Sequence, residues 1–111
     1  MSRDRVYLQH ILDAAQKIEL YTAVGRDEFF ASTHWQDGVI RQLEIIGEAA
    51  KRLSEDLRER YTDIPWRRIC GLRDVLIHNY MGVDLEAVWQ IAQTRIPDLK
   101  TEIERILGEA E

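Results

Sequence analysis

Apolar residues recur every three or four positions along most of the chain, the spacing that places them on one face of an α-helix. The first stripe predicts a helix from Arg3 to about Thr22, whose apolar face is formed by Leu8, Ile11, Leu12, Ala15 and Ile18. A second stripe predicts the longest helix, from Trp35 to Arg60, with a seam formed by Val39, Leu43, Ile46, Ala50, Leu53 and Leu57. The alternating spacing of four and three residues in this seam is typical of helices that pack at about 20°.

A short element is predicted between these two helices. Gly25 ends the first helix, and residues 26–32 then form one or two helical turns that fill the core with Phe29 and Phe30. Ser32 and Thr33 lie just before the second long helix, where a side-chain oxygen can cap the free N–H groups of the first turn. Within that long helix, Gly47 leaves room for a close neighbour.

The second half of the chain predicts two further helices. One begins at Pro65 and runs to about Tyr80, because Gly82 can end a helix and Asp84 can cap a new one. The last stripe consists of Leu85, Val88, Ala92, Leu99, Ile103 and Ile106. Pro97 cannot donate a helical hydrogen bond, so it predicts a kink or break near this position. These elements together predict an all-α fold, an antiparallel bundle of four main helices with a short extra helix, in one domain that spans residues 1–111.

Charge changes this picture in one respect. The net charge is −5, which argues against a protein that coats nucleic acid by electrostatic attraction alone. Residues 41–73 nevertheless carry a net charge of +2, while the segments on either side are acidic. Any anion site is therefore expected near the middle of the chain, although these charges can also simply be solvated helix faces.

Several classes of function lack the residues they need. The sequence contains no apolar run of about 18 residues and begins with a charged segment, so we expect a cytoplasmic protein without a membrane span. It has no Glu-x-x-His pair, no zinc-type Cys/His spacing and no Gly-rich phosphate loop, so no metal or cofactor is expected. The single cysteine, Cys70, is interpreted as a small buried apolar residue. His10 and His34 are interpreted as helix caps or surface residues.

The segment "RDVLIHNY", residues 73–80, brings polar chemistry into an otherwise apolar helix pattern. On an ideal helix, Asp74 and His78 share one stripe, where the carboxylate can orient the imidazole and support its charge. Arg73 and His78 are rotated by about 140° from one another, so a twofold pair of chains could line one cleft with both residue types more easily than one chain. Each residue also has an ordinary structural interpretation: a helix-dipole contact for the histidine, a surface ion pair for the arginine, and a core position for Tyr80.

The order Arg73, four residues, His78, any residue, Tyr80 resembles the signature of the HEPN superfamily, in particular its HepT-like toxins. The resemblance extends over residues 42–54, 65–80 and 83–107. It implies a homodimeric, metal-independent ribonuclease of a toxin–antitoxin system, with Arg73 and His78 as catalytic residues and with supporting roles for Asp74 and Asn79.

The same resemblance implies a partner and a means of control. The partner is an MNT-type nucleotidyltransferase antitoxin, which transfers AMP from ATP to the motif tyrosine, here Tyr80. Two alternatives to a nuclease remain open from the sequence. One is a non-catalytic helical binding module that partners a nucleotidyltransferase, and the other is a purely structural dimer.

Overall fold

The computed structural model describes residues 2–72 and 84–109, and over these ranges the chain forms helices and short connections without a strand. The elements are α1 Ser2–Thr22, α2 Arg26–Ala31, α3 Thr33–Lys51, α4 Glu55–Arg60, α5 Trp66–Cys70, α6 Leu85–Gln90, a π-helical turn Ile91–Arg95, and α7 Ile96–Glu109. The all-α class predicted from the sequence is confirmed.

Polar contacts at the helix ends show that the long helices run antiparallel. Asp4, at the start of α1, accepts hydrogen bonds from Ser54, which lies just beyond the end of α3. Glu19, near the end of α1, pairs at 2.8 Å with Lys100, near the start of α7. Helix α1 therefore packs between α3 and α7, with its direction opposite to both.

The predicted stripes form the core. Every residue of the first two stripes is buried, as is the last stripe apart from Leu85, which is half-buried. The largest fully buried side chains come from α1, α2, α3, α4 and α7: Phe29, Leu8, Ile11, Ile18, Leu43, Ile46, Leu57, Ile96, Ile103, Ile106 and Val39. Since fully burying a large aliphatic side chain contributes roughly 1.5–3 kcal/mol before entropy is subtracted, these stripes drive folding.

The prediction of one helix from Trp35 to Arg60 is wrong. Helix α3 ends at Lys51 and α4 begins at Glu55, so α1, with 21 residues, is longer than either. Ser54 starts the new helix because its hydroxyl accepts the Leu57 N–H at 3.2 Å while Asp4 accepts both its N–H and its hydroxyl proton. Arg58 reinforces the corner, since its Nη2 donates to two carbonyl oxygens at the end of α3, each at 2.9 Å.

The connection around α2 follows the prediction except at one cap. Gly25 has a φ of 97°, a conformation that favours glycine, and it precedes α2. Phe29 is fully buried and Phe30 is half-buried against the core. Ser32 lies at the N-cap of α3, but its side chain makes no cap hydrogen bond there. The predicted side-chain cap is therefore wrong; the residue also ends α2, and its extended backbone serves both helices.

Helix α5 is shorter than predicted. The sequence predicts a continuous helix from Pro65 to about Tyr80, whereas α5 ends at Cys70 and Gly71 forms a turn. A Cβ added at Gly47 would lie 3.3 Å from the Cys70 carbonyl oxygen, so the predicted close neighbour of α3 is α5. Cys70 is half-buried, not buried as expected, because it lies at the end of this short helix.

The interruption predicted near Pro97 takes the form of the π-helical turn. The N–H of Ile96 donates to the Ile91 carbonyl, a bond that spans five residues instead of four. Pro97 follows at once and has no N–H to donate, which lowers the cost of departing from α-helical pairing here. The backbone continues from α6 into α7 without a loop, and Arg95 is the last residue of the wider turn.

Candidate functional site

The residues of the predicted motif lie outside the described ranges. These residues are Arg73, Asp74, His78, Asn79 and Tyr80. The structure does define where the chain enters and leaves this segment, at Leu72 and at Asp84. The contacts around Leu72 and Asp84 therefore define the surroundings of the candidate site.

The entry and exit points are firmly held. Leu72 is only 6% exposed and packs with the core. Trp66, at the start of α5, is also buried, and its indole N–H donates to the Tyr61 carbonyl at 3.0 Å. On the exit side, the Asp84 carboxylate accepts the Ala87 N–H at 3.1 Å and caps α6, as predicted. Both ends of the motif segment are thus anchored to helices of the bundle.

A cleft of about 600 Å³ lies beside the first of these anchors, Leu72, between α5 and the end of α6 with its π turn. We call it the arginine cleft. Its described lining residues are Arg67, Arg68, Gly71, Leu72, Ala87, Gln90, Ile91, Thr94 and Arg95. Leu72 and Ile91 are buried and form an apolar floor, whereas the three arginines are exposed.

The arginine cleft is strongly positive in an acidic protein. Among its described lining residues, three carry a positive charge and none carries a carboxylate. Within the part of the chain that the structure describes, no ion pair joins Arg67, Arg68 or Arg95 to an acidic side chain. Three exposed guanidinium groups in one cleft are well suited to bind phosphate oxygens.

The carboxylate nearest in sequence on α6 is already engaged. Glu86 forms a bidentate ion pair with Arg26 of α2: Nη2 donates to Oε2 at 2.6 Å and Nη1 donates to Oε1 at 3.1 Å. The hydrogen bond from Arg26 lowers the pKa of the Glu86 carboxyl, and the same bond raises the pKa of Arg26. The Arg26 guanidinium also lies 4.6 Å above the Phe30 ring. Glu86 is therefore held on the α2 side of the helix and is not among the residues that line the cleft.

A second cavity, of about 460 Å³, adjoins the arginine cleft. The two share Arg68, Leu72, Ile91 and Arg95. The second cavity is mainly apolar, and its other described lining residues are Asp63, Ile64, Pro65, Ile69, Ile96, Asp98, Leu99, Thr101 and Glu102. The arginine cleft therefore continues into a mainly apolar groove, which also contains three carboxylates and touches Leu72 at the entry to the motif segment.

Other candidate chemistry is weak. His10 and His34 are exposed, as predicted, and stack edge-on against Tyr7 and Trp35 respectively. Across residues 2–72 and 84–109, no group of three His, Cys, Asp or Glu side chains could hold a metal ion. No helix in these ranges is both long enough and apolar enough to cross a membrane.

The arginine cleft was missed by sequence reasoning. The positive balance of residues 41–73 contains a signal for Arg67 and Arg68, but it does not distinguish them from the other basic residues there. Arg95 lies in an acidic segment, and nothing in its local sequence connects it to α5. Only the packing of the π turn near α5 brings the three together.

A comparison with family models matches residues 11–106 to the family described as "Ribonuclease HepT-like". The chain belongs to this family. The resemblance inferred from the motif and its flanking segments is thereby confirmed, and the matched range includes both anchors, the arginine cleft and the motif segment.

Individual relatives support the assignment. A "Gamma-glutamylcyclotransferase and putative RNase" of Methanocaldococcus jannaschii is 47% identical over 95% of this chain, which spans 48% of that relative's length. A "Putative RNase" of Caldanaerobacter subterraneus is 37% identical, with 96% of each chain covered. A "Probable ribonuclease HepT" of Thermococcus cleftensis is 40% identical over 90% of this chain and 92% of its own. No solved structure matches the chain.

Proposed function

We propose that this protein is the cytoplasmic toxin of a toxin–antitoxin pair and that it cleaves RNA as a metal-independent endoribonuclease. The observation that carries the proposal is membership of the HepT-like ribonuclease family by a chain that contains Arg73, His78 and Tyr80 in the motif order. The arginine cleft beside the motif segment supports it, because an RNA substrate must be bound through phosphates next to the reacting bond.

The residues of the motif have the chemistry that such a reaction needs. A base removes the proton of the RNA 2′-hydroxyl, and this oxygen attacks the adjacent phosphorus. The bond from phosphorus to the 5′-oxygen then breaks, and an acid protonates that oxygen, which leaves a 2′,3′-cyclic phosphate. His78 from two chains can supply the base and the acid. Arg73 stabilises the charged phosphorane, and Asp74 and Asn79 support the histidine.

The proposed active form is a twofold homodimer. His78 lies five positions after Arg73, so on an ideal helix the two side chains leave the axis in directions about 140° apart. A second copy of the segment across a twofold axis can place an arginine and a histidine from different chains in one site. If light scattering at micromolar concentration detected monomer alone, the result would argue strongly against this shared site.

Control by modification completes the proposal. An MNT-type nucleotidyltransferase antitoxin transfers AMP from ATP to the hydroxyl of Tyr80, with pyrophosphate as the leaving group. The added phosphate lies within reach of Arg73 if the segment is helical, since seven residues correspond to about two turns. Its charge would occupy the position that the substrate phosphate needs.

The test is cleavage of mixed cellular RNA by the purified protein in the presence of a chelator. We expect cleavage with 2′,3′-cyclic phosphate ends, and we expect His78→Ala and Arg73→Ala each to lose on the order of 10²-fold or more in rate. Both variants should keep the melting temperature of the unmodified protein, because the two groups act on the transition state and not on packing.

The same assay separates the nuclease from its alternative. A non-catalytic binding module that partners a nucleotidyltransferase would leave RNA uncut with or without His78. Near-full cleavage by His78→Ala would instead remove the proton-transfer role from this residue. An equal fall of the melting temperature in both variants would assign the motif to structure.

A further inference from the structure

We propose that the arginine cleft binds the sugar–phosphate backbone of the RNA strand next to the bond that is cut. This inference rests on the proposed function for its substrate class and adds where the strand lies. It assigns Arg67, Arg68 and Arg95 as phosphate-binding residues, with no part in proton transfer.

The first argument is the charge of the cleft. Its three guanidinium groups are exposed and, over the described ranges, none is neutralised by a carboxylate, although acidic residues outnumber basic ones in the whole chain. Three exposed like charges that meet in one cleft, with no paired carboxylate among the described residues, repel one another and attract a polyanion. A ligand with several phosphates suits such a site better than a ligand with one.

The second argument is position. Leu72 lines the cleft, and Arg73 is the next residue in the sequence. A strand held by Arg67 and Arg68 would therefore lie beside Leu72, the point where the chain enters the motif segment. An acidic protein partner could also contact the arginines, but it would not need a continuous path to the motif.

The third argument is shape and lining. The cleft holds about 600 Å³ and lies open between two elements, and its described lining contains no aromatic ring on which a base could stack. Phosphate contacts hold a strand without reading its sequence, whereas base-edge contacts carry sequence preference and differences in stacking strength add a modest one. We therefore expect the cleft to bind RNA strands of different sequence with similar affinity.

The π turn supports this role because it ends at one of the three arginines. π-helical turns are rare and frequently occur at functional sites. Here the turn spans Ile91–Arg95, places Ile91 in the floor of the cleft, and also contributes Thr94 to its lining. Pro97 explains the π-helical hydrogen bonding of this turn, and the proposed phosphate binding explains why its last residue is an arginine.

The experiment compares two variants of equal charge. One carries Arg67→Gln, Arg68→Gln and Arg95→Gln. The control carries Arg3→Gln, Lys17→Gln and Arg60→Gln, three exposed positions that line neither cavity. Binding of a fluorescent 2′-O-methyl RNA of about 12 nucleotides is measured by anisotropy over a range of salt concentrations. The methyl groups prevent cleavage by the 2′-oxygen and leave the phosphates in place.

We expect the cleft variant to bind at least about tenfold more weakly, and the control variant to bind within about threefold of the unmodified protein. The slope of log affinity against log salt should fall in magnitude by about 2 in the cleft variant, since each lost phosphate contact on a single strand contributes about 0.7.

Other outcomes would overturn the inference. Equal weakening in both variants would show that general charge, not this cleft, attracts RNA. Unchanged RNA affinity, with loss of binding to the nucleotidyltransferase partner, would make the cleft a protein interface. If the triple variant melts early, Arg95→Gln alone should still reduce the salt slope by about 0.7, and no change would reject the assignment. Because anisotropy does not require cleavage, the cleft can be tested even if the nuclease proposal fails.

Discussion

Two regions of the molecule use arginine in opposite ways. Arg105 lies among carboxylates: Nη2 is 2.6 Å from Glu102 and 3.1 Å from Asp63, and Nη1 is 3.8 Å from Glu109. We call these four residues the Arg105 cluster. The arginine cleft, by contrast, contains three exposed guanidinium groups and no carboxylate among its described lining residues. The same side chain is neutralised in one place and available to anions in the other.

The Arg105 cluster acts as a tie between elements. Arg105 connects α7 to the turn at Asp63, and its guanidinium lies 5.4 Å from the centre of the Tyr61 ring. The Tyr61 hydroxyl donates to Glu109 at 2.9 Å, and this bond raises the pKa of Tyr61. The Arg105 ion pairs help to hold α7 against the turn at Asp63, whereas the three arginines of the cleft have no carboxylate partner among the described residues.

The largest effect that we expect is the loss of RNA cleavage when Tyr80 is modified, because this places a new negative charge near arginines that have no described carboxylate partner. Incubation with the partner nucleotidyltransferase and ATP should add mass in steps of one AMP to the peptide that contains Tyr80. Cleavage of RNA should fall on the order of 10²-fold or more, because a new phosphate charge would compete with substrate for arginine. Mass spectrometry and the cleavage assay measure the two results.

Two tyrosine variants control this experiment. Tyr80→Phe keeps the ring but has no acceptor oxygen, so it should gain no AMP and should still cleave RNA with partner and ATP present. Tyr61→Phe should be modified normally, since Tyr61 is buried and its hydroxyl is bonded to Glu109 in the Arg105 cluster. AMP found at Tyr7, Tyr21 or Tyr61 would contradict the assignment. No addition anywhere would make direct binding by the partner the means of control.

The next largest effect concerns the free energy of unfolding, tested at a buried residue of α7, the helix that carries Arg105. Ile103 lies on α7 and is fully buried, so Ile103→Ala should reduce the free energy of unfolding by about 2–5 kcal/mol. Urea unfolding followed by circular dichroism measures the loss. Val6→Ala, at a position that is 52% exposed, should change stability by less than about 0.5 kcal/mol. RNA affinity of the folded Ile103→Ala fraction should stay normal, and a specific loss of binding would mean that the two regions are not separate in function.

A smaller effect is expected at the corner between α3 and α4. Ser54→Ala removes the oxygen that accepts the Leu57 N–H and one of the two hydrogen bonds to Asp4. Loss of an N-cap side chain typically costs about 1 kcal/mol, which urea unfolding can resolve. Ser54→Asp keeps a capping oxygen but places a second carboxylate beside Asp4, so it should not restore stability. Full stability of Ser54→Asp would show that Asp4 matters less than the geometry suggests.

Much of the fold could be predicted because the buried residues of each helix recur every three or four positions in the sequence. The apolar stripe from Leu8 to Ile18 shows directly which face of α1 is buried. Asp84 caps the helix that follows it and Pro97 interrupts the helical pairing next to it, so both effects can be predicted from the local sequence. The break after Lys51 could not be predicted in this way, because the bond that stabilises it joins Ser54 to Asp4, 50 residues earlier. In the sequence, a serine between Leu53 and Leu57 also fits an uninterrupted helix.

The site shows the same limit. The motif from Arg73 to Tyr80 is contiguous, so a resemblance could identify it, and its roles stay predictions because these residues lie outside the described ranges. The arginine cleft depends on a tertiary contact between α5 and the π turn. Arg95 follows Arg68 by 27 positions in an acidic segment, and only packing turns the two into neighbours.

The smallest expected effect is a pH dependence that distinguishes a paired arginine from an unpaired one. The Arg26 hydrogen bond lowers the folded-state pKa of Glu86 below its ordinary value of 4.5. A lowered carboxyl pKa contributes stability that is fully present above the unfolded-state pKa and is lost as the pH falls through the folded-state pKa. Glu86→Gln should therefore melt slightly below the unmodified protein at pH values well above 4.5, and the difference should shrink as the pH is lowered past that value.

Arg95→Gln is the matched test on the other side of the comparison. Melting temperatures of Glu86→Gln, Arg95→Gln and the unmodified protein are measured by circular dichroism from neutral pH into the acid range at constant salt. Arg95 has no carboxylate partner among the described residues, so its replacement should change the melting temperature by the same small amount at every pH. If the Arg95→Gln difference also disappears in acid, a carboxylate neutralises this arginine in the free protein. The cleft would then resemble the Arg105 cluster, and RNA would have to displace that carboxylate in order to bind.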